Sequence, residues 1–254
     1  MPDPSISIAT RQLSLGLRGA GTILLLVFLG LIVLDSTLLQ LSTRLISAGI
    51  VRSVSDDEIG LLKDAIGRVL SPCVVFLVTW CSLKLRFRPV SSIELFQEFG
   101  LTPVSYALLI GSFCGGIAYH SILEYLLIPL FPPKAGLIPH PASGMFELST
   151  GAIALAIVGG ALLAPIAEEF LFRGVIYKAL EQHWNKIVSI IVVSVVFSLI
   201  HPGAISSGYW LTHVSLFVFP LLLALSREVT GSLGSPILLH AGYNISEYIG
   251  YLYK

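Results

Sequence analysis

Seven apolar runs, near residues 19–39, 66–85, 101–131, 148–182, 186–202, 208–226 and 231–253, constrain this 254-residue chain more than any other feature. A helix needs about 20 apolar residues to cross the roughly 30 Å of hydrocarbon in a bilayer, and each run approaches or exceeds that length. The chain therefore reads as all-α, a polytopic transmembrane bundle of about seven spans, with six to eight allowed by soft boundaries. Composition agrees: 55% of residues are hydrophobic and 12% charged, where a soluble domain carries about 25% charged residues. Lys plus Arg number 15 and Asp plus Glu 15, a net charge of zero. No global basic field then points to nucleic acid, and that partner class is set aside. Cys73, Cys81 and Cys114 all lie in apolar stretches and are odd in number, which argues against a disulfide framework.

The first run follows Arg11 and Arg18 like the core of a signal peptide, but no small-x-small site follows Leu34, so it is read as a retained span. The run 101–131 is too short for two crossings and ends in Pro129, Pro132 and Pro133, which predicts one crossing plus a short interfacial piece. An eighth span is allowed there. On a seven-span count, Arg11, Arg18, Lys84, Arg86, Arg88, Lys178, Lys186 and Arg227 share one side, against Arg44, Arg52, Lys63, Lys134 and Lys254 on the other. That excess favours a cytoplasmic N-terminus. Ser53 to Asp64 and Phe131 to Glu147 read as loops. The whole chain, 1–254, is read as one membrane-embedded domain, with N-terminal spans and loops over 1–147 and a catalytic core over 148–254.

Polar residues inside the apolar runs carry the chemistry, because an ionisable side chain at a helix centre costs on the order of 2.5 to 3.5 kcal/mol even on the lenient insertion scale. Three clusters stand out. In Ala164 to Arg173, two adjacent carboxylates precede an arginine, and Glu169 and Arg173 at i, i+4 share a face. Glu168 points about 100° away and is left to face something else. Phe197 to His201 ends a run rich in valine and isoleucine, and a lone His201 before Pro202 says little by itself. In the third cluster His240 and Asn244 lie at i, i+4, with Glu247 continuing the face. The plainer readings are a solvated helix end for the glutamates, an interfacial histidine, and polar side chains that hold helices together. His120 and Glu124 are also spaced i, i+4, but beside Tyr119 and Tyr125 they read as an interfacial aromatic belt.

Depth links the clusters. If Gln182 to Lys186 is the turn of a helical hairpin, Glu168 and His201 lie about 16 residues, roughly 25 Å, from its midpoint. This requires the helix to continue through Phe170 to Leu180, which good helix formers support. His240 falls roughly 16 Å past the Arg227 to Gly231 turn, so the clusters can converge inside the membrane. A carboxylate, two imidazoles and an amide in one place suggest hydrolysis.

At these residues the sequence resembles the CAAX-protease and bacteriocin-processing family of intramembrane endopeptidases, also called the Abi family. Its motifs EExxxR, FxxxH and HxxxN or HxxxD read here as Glu168, Glu169 and Arg173; Phe197 and His201; His240 and Asn244, in the family's order. The resemblance implies a membrane-associated peptide or protein substrate, with Glu168 and His201 holding the attacking water and His240 and Asn244 stabilising the oxyanion. Glu169, Arg173 and Phe197 would support them. A zinc set of Glu168, His201 and His240 is the alternative, while the favoured mechanism needs no cofactor. HExxH and GxSG motifs are absent from the sequence, and no aspartate pair lies within spans. A non-catalytic relative giving bacteriocin immunity is the rival reading; a solute carrier is disfavoured because the polar residues sit in one half of the chain. A multi-pass protein of a prokaryotic plasma membrane is expected.

Overall fold

The computed structural model describes residues 13–47, 56–132, 150–201 and 209–252. These form eight helices, with no strand among the described residues: α1 (Gly16–Ser47), α2 (Asp56–Arg86), α3 (Ser92–Glu98), α4 (Tyr106–Leu130), α5 (150–181), α6 (Lys186–Leu199), α7 (Trp210–Thr230) and α8 (Gly234–Leu252). The protein is a helical membrane bundle. Five helices, α1, α2, α4, α5 and α7, are long and apolar enough to cross a bilayer. Helix α6 has only 14 residues, about 21 Å at 1.5 Å per residue, which is shorter than the roughly 30 Å of hydrocarbon, and His201 follows its end.

Each apolar run becomes one helix, but five of these, against about seven expected spans, are long and apolar enough to cross among the described residues; the other differences lie at the edges. The stretch Ser53 to Asp64 is helical from Asp56 onward, because leaving the hydrocarbon removes the need for apolar side chains and not the backbone's ability to continue a helix. The run 101–131 is a single helix with a π-turn over Leu123–Leu127 and no separate interfacial piece. Pro129 sits in its last turn. The proline-rich loop from residue 133 to 147, residues 53–55, and Pro202 lie outside the described residues.

Helix α5 is the centre of the bundle: 50% of its apolar window is buried, against 11% to 33% for the other spanning helices. Helix α2 packs along one side of it and α8 on another, while α1 lies mainly on α2 and meets α5 over 170–181. Without a hydrophobic drive between helices in lipid, close approach relies on small residues. Glycines supply it here. A Cβ on Gly116 would stand 1.9 Å from the Leu239 carbonyl oxygen, and one on Gly242 would stand 2.1 Å from that of Phe113, so α4 and α8 touch backbone to backbone on either side of His240. A Cβ on Gly159 would stand 2.4 Å from the Arg68 carbonyl oxygen and one on Gly160 2.0 Å from the Tyr248 hydroxyl, which brings α2 and α8 against α5 at one level.

The hairpins close as their sequences dictate. Asn185 caps α6 by accepting the Val188 N–H at 3.0 Å. Gly231 ends α7 at φ +67, where a side chain would be strained, and its N–H returns to the Arg227 carbonyl. The start of α1 meets the α5–α6 turn through Ser14 and Gln182 at 2.9 Å. Lys186 pairs with Glu228 at the same end, and Asp35 pairs with Lys63 at 3.0 Å at the opposite end. Of the basic residues assigned by sequence to the side of the N-terminus, Lys178 pairs with Glu98 and Lys186 with Glu228, while Arg11 lies outside the described residues.

Candidate active site

Helix α5 presents both glutamates from a six-residue α-helical stretch, Ala164–Glu169, set between two π-turns, Val158–Leu163 and Phe170–Ile176. Glu169 and Arg173 are fully buried and paired, Arg173 Nη1 donating to Glu169 Oε1 at 3.0 Å. Arg173 Nη2 donates to the Pro220 carbonyl of α7 at 3.0 Å, and its guanidinium carbon lies 4.6 Å from the centre of the Phe197 ring. Two charges removed from water need this kind of neutralising partner. The solvated helix end is therefore not what this pair forms.

Glu168 points elsewhere, into a cavity of about 580 Å³ between α1, α2 and α5 that His201 also lines. Its side chain retains 24% exposure and that of His201 33%, and Glu168 Oε2 stands 3.9 Å from His201 Nε2. The Phe197 carbonyl, one turn back, can only accept, so at 2.7 Å from His201 Nδ1 it fixes the hydrogen on that nitrogen. In the neutral ring Nε2 then turns a lone pair toward the carboxylate. Two acceptors that face each other cannot bond directly. Separated by 3.9 Å, they match the two hydrogens of one water, whose acceptors lie roughly 4 to 4.5 Å apart.

Phe197 joins the three motifs. It stacks on His201 with ring centres 4.5 Å apart, lies under Arg173, and meets His240 edge-on at 6.0 Å. His240 itself is 6% exposed, and its Nδ1 donates to Glu169 Oε1 at 3.0 Å, beside the arginine on the same oxygen. Asn244, one turn along α8, donates from Nδ2 to the Gly160 carbonyl at 2.7 Å. Neither His240 nor Asn244 is among the described residues that line the cavity. Glu168 and His201 thus share the cavity, while His240 and Asn244 approach α5 from α8, at Glu169 and at Gly160.

The candidate zinc set was Glu168, His201 and His240. Among the described residues no three His, Cys, Asp or Glu side chains are grouped to hold a metal ion; His240 gives its Nδ1 to Glu169 and keeps Nε2. The three cysteines are free thiols. His120 is not part of an aromatic belt: it is 5% exposed, 3.0 Å from the Ser246 hydroxyl and edge-on to Tyr243, between α4 and α8.

Sequence reading missed Arg68 and Tyr248. Arg68 Nη1 donates to the Tyr248 hydroxyl at 3.2 Å, and Arg68 lines the cavity together with Glu168. The signal was an arginine near the start of the apolar run 66–85. A second missed signal lies in the prolines within helices, each of which removes the N–H that the carbonyl about one turn back would receive. In α7 the proline is Pro220, and Ser198 of α6 reaches the Leu216 carbonyl, four residues earlier, at 2.7 Å. Helix-to-helix bonds of this kind are what membrane interiors demand.

The fold and the site together define a polytopic helical membrane protein with a carboxylate–imidazole pair in a cavity inside the bundle. Residues 150–246 match the family model described as Rce1-like, type II CAAX prenyl endopeptidase, a stretch that holds all three motifs. Over that stretch, less than half of the chain, the protein is similar to the CAAX-protease family. No curated protein and no solved structure matches the chain.

Proposed function

We propose that the protein is an intramembrane endopeptidase that hydrolyses a peptide bond in a membrane-associated peptide or protein, without a metal. The observation that carries the reading is the facing pair of acceptors, Glu168 Oε2 and His201 Nε2 at 3.9 Å. A water donating one hydrogen to each keeps its lone pair directed into the cavity, toward a substrate carbonyl. As the oxygen attacks, Glu168 takes the proton, and it returns the proton to the amine that leaves. His201 orients the water, and Phe197 orients His201 through its carbonyl and its ring.

The developing oxyanion would take its donors from α8, His240 and Asn244, which reach α5 at Glu169 and Gly160 and are not among the described residues lining the cavity. A carboxylate on Nδ1 accepts and cannot donate, so His240 Nε2 offers a hydrogen only when the ring is an imidazolium. Asn244 keeps one amide hydrogen beyond the one it gives to Gly160. The similarity of residues 150–246 to Rce1-like endopeptidases supports the same reaction class. The apolar residues that α1 contributes to the cavity suit a lipid-embedded substrate.

The test compares the membrane peptidome of cells carrying the intact chain with that of cells carrying a Glu168→Ala copy. Peptide termini found only with the intact chain are expected and would name the substrate. Identical peptidomes would instead leave a non-catalytic scaffold. With purified protein, cleavage of the substrate so found should survive exhaustive zinc chelation. Activity lost on chelation and regained with stoichiometric zinc would overturn the metal-free reaction.

A further inference from the structure

Asn244 holds a backbone carbonyl that has no donor in its own helix. In the π-turn of α5 the N–H of Ala164 bonds to the carbonyl of Gly159, five residues back. Continued in that pattern, the amide that would serve Gly160 belongs to Pro165, which has no hydrogen to give. The Gly160 carbonyl would remain unbonded in a part of the bundle where an unsatisfied backbone group is expensive. Asn244 Nδ2 takes it at 2.7 Å.

What this bond controls is the rotation of everything that follows. A π-turn inserts one residue relative to an α-helix, and one residue is about 100° of rotation. Were the Ala164 N–H to return to Gly160, the helix beyond would turn by that amount, and Glu168 would leave the face it shares with His201. By bonding the Gly160 carbonyl, Asn244 satisfies within the π register an acceptor that the helix itself would satisfy only in the α register. The same level is braced by α2 and Tyr248, whose approach leaves no room for side chains on Gly159 and Gly160.

We propose that Asn244 is a positioning residue that locks the π register of α5 and thereby aims Glu168 at His201. Its second amide hydrogen stays available for the oxyanion role given above. The inference goes beyond that role, and its test needs no catalysis, so it stands or falls separately from the peptidase reading.

The experiment uses the full chain in membranes, with Cys73, Cys81 and Cys114 replaced by serine and the pair Glu168→Cys, His201→Cys introduced. Cross-linking by the shortest bifunctional methanethiosulfonate reports whether the two positions face each other. With Asn244→Ala, and equally with Asn244→Leu, which keeps volume without a donor, the yield should fall by roughly fivefold or more, since about 100° of rotation carries residue 168 to another face. A control pair across α4 and α8, His120→Cys with Ser246→Cys, whose side chains lie 3.0 Å apart, should cross-link as before. Unchanged yield at 168 and 201 with both Asn244 variants would reduce Asn244 to an oxyanion donor. Loss at the control pair as well would make it a general stability residue. Either result overturns the proposal.

Discussion

Glu168→Gln should abolish cleavage, lowering turnover by about a thousandfold or more, at the upper end of what a general base supplies, while the protein inserts and unfolds as before. The side chain lines a cavity, keeps 24% of its exposure, and has His201 as its partner at 3.9 Å. Replacing one oxygen by an amide nitrogen therefore breaks no buried ion pair. It also inverts the site's hydrogen-bonding logic. The amide N–H can donate straight to His201 Nε2, the atom to which the water would have donated, so the variant loses the base and fills the water's place together. A change of thermal unfolding temperature by more than a degree or two would point to a structural role, since surface-like polar swaps stay within about 0.5 kcal/mol. Turnover by Glu168→Gln equal to that of the unaltered protein would remove Glu168 from the chemistry.

How much of this was legible in the sequence depends on the range over which each signal acts. Spans follow from local hydropathy, and each apolar run became a helix in its place. Glu169 with Arg173 is an i, i+4 relation on one helix, and the pair forms at 3.0 Å. The opposed direction of Glu168 is the same arithmetic, and the equal depth of Glu168 and His201 needed only a short turn between two helices. The partners of His240 and Asn244 are another matter. They are set by how closely α8 approaches α5 and α4, which is decided by the glycines Gly160, Gly116 and Gly242 and not by any periodicity. The Gly160 carbonyl could have been found from Pro165, and the Leu216 carbonyl from Pro220, had each proline been read for the acceptor it leaves behind. Which polar side chain answers that acceptor is a tertiary fact. Similarly, His120 looked interfacial because its neighbours are aromatic, yet packing of α4 on α8 buries it.

Glu169→Ala and Arg173→Ala should each lower stability by roughly 3 to 5 kcal/mol, because removing one partner of a buried pair leaves the other charge uncompensated. Both side chains are fully buried, in the helix that forms the centre of the bundle. The two variants should nevertheless differ in what they do to activity. Without Arg173, Glu169 still accepts from His240 at Nδ1, so the imidazole keeps its orientation and some cleavage survives in whatever protein folds. Without Glu169, Arg173 keeps the Pro220 carbonyl and the Phe197 ring, but His240 loses the carboxylate that orients it. Glu169→Ala should accordingly lose the greater share of turnover per folded molecule. The double variant supplies the sharper test. With both charges gone no uncompensated ion remains, so it should be at least as stable as the weaker of the two single variants, a coupling of about 3 kcal/mol or more in a double-mutant cycle. Thermal unfolding in detergent or lipid, with cleavage normalised to the folded fraction, measures all three. Additive losses, or single variants with unaltered stability, would mean that the pair does not bear on the core in the way its burial requires.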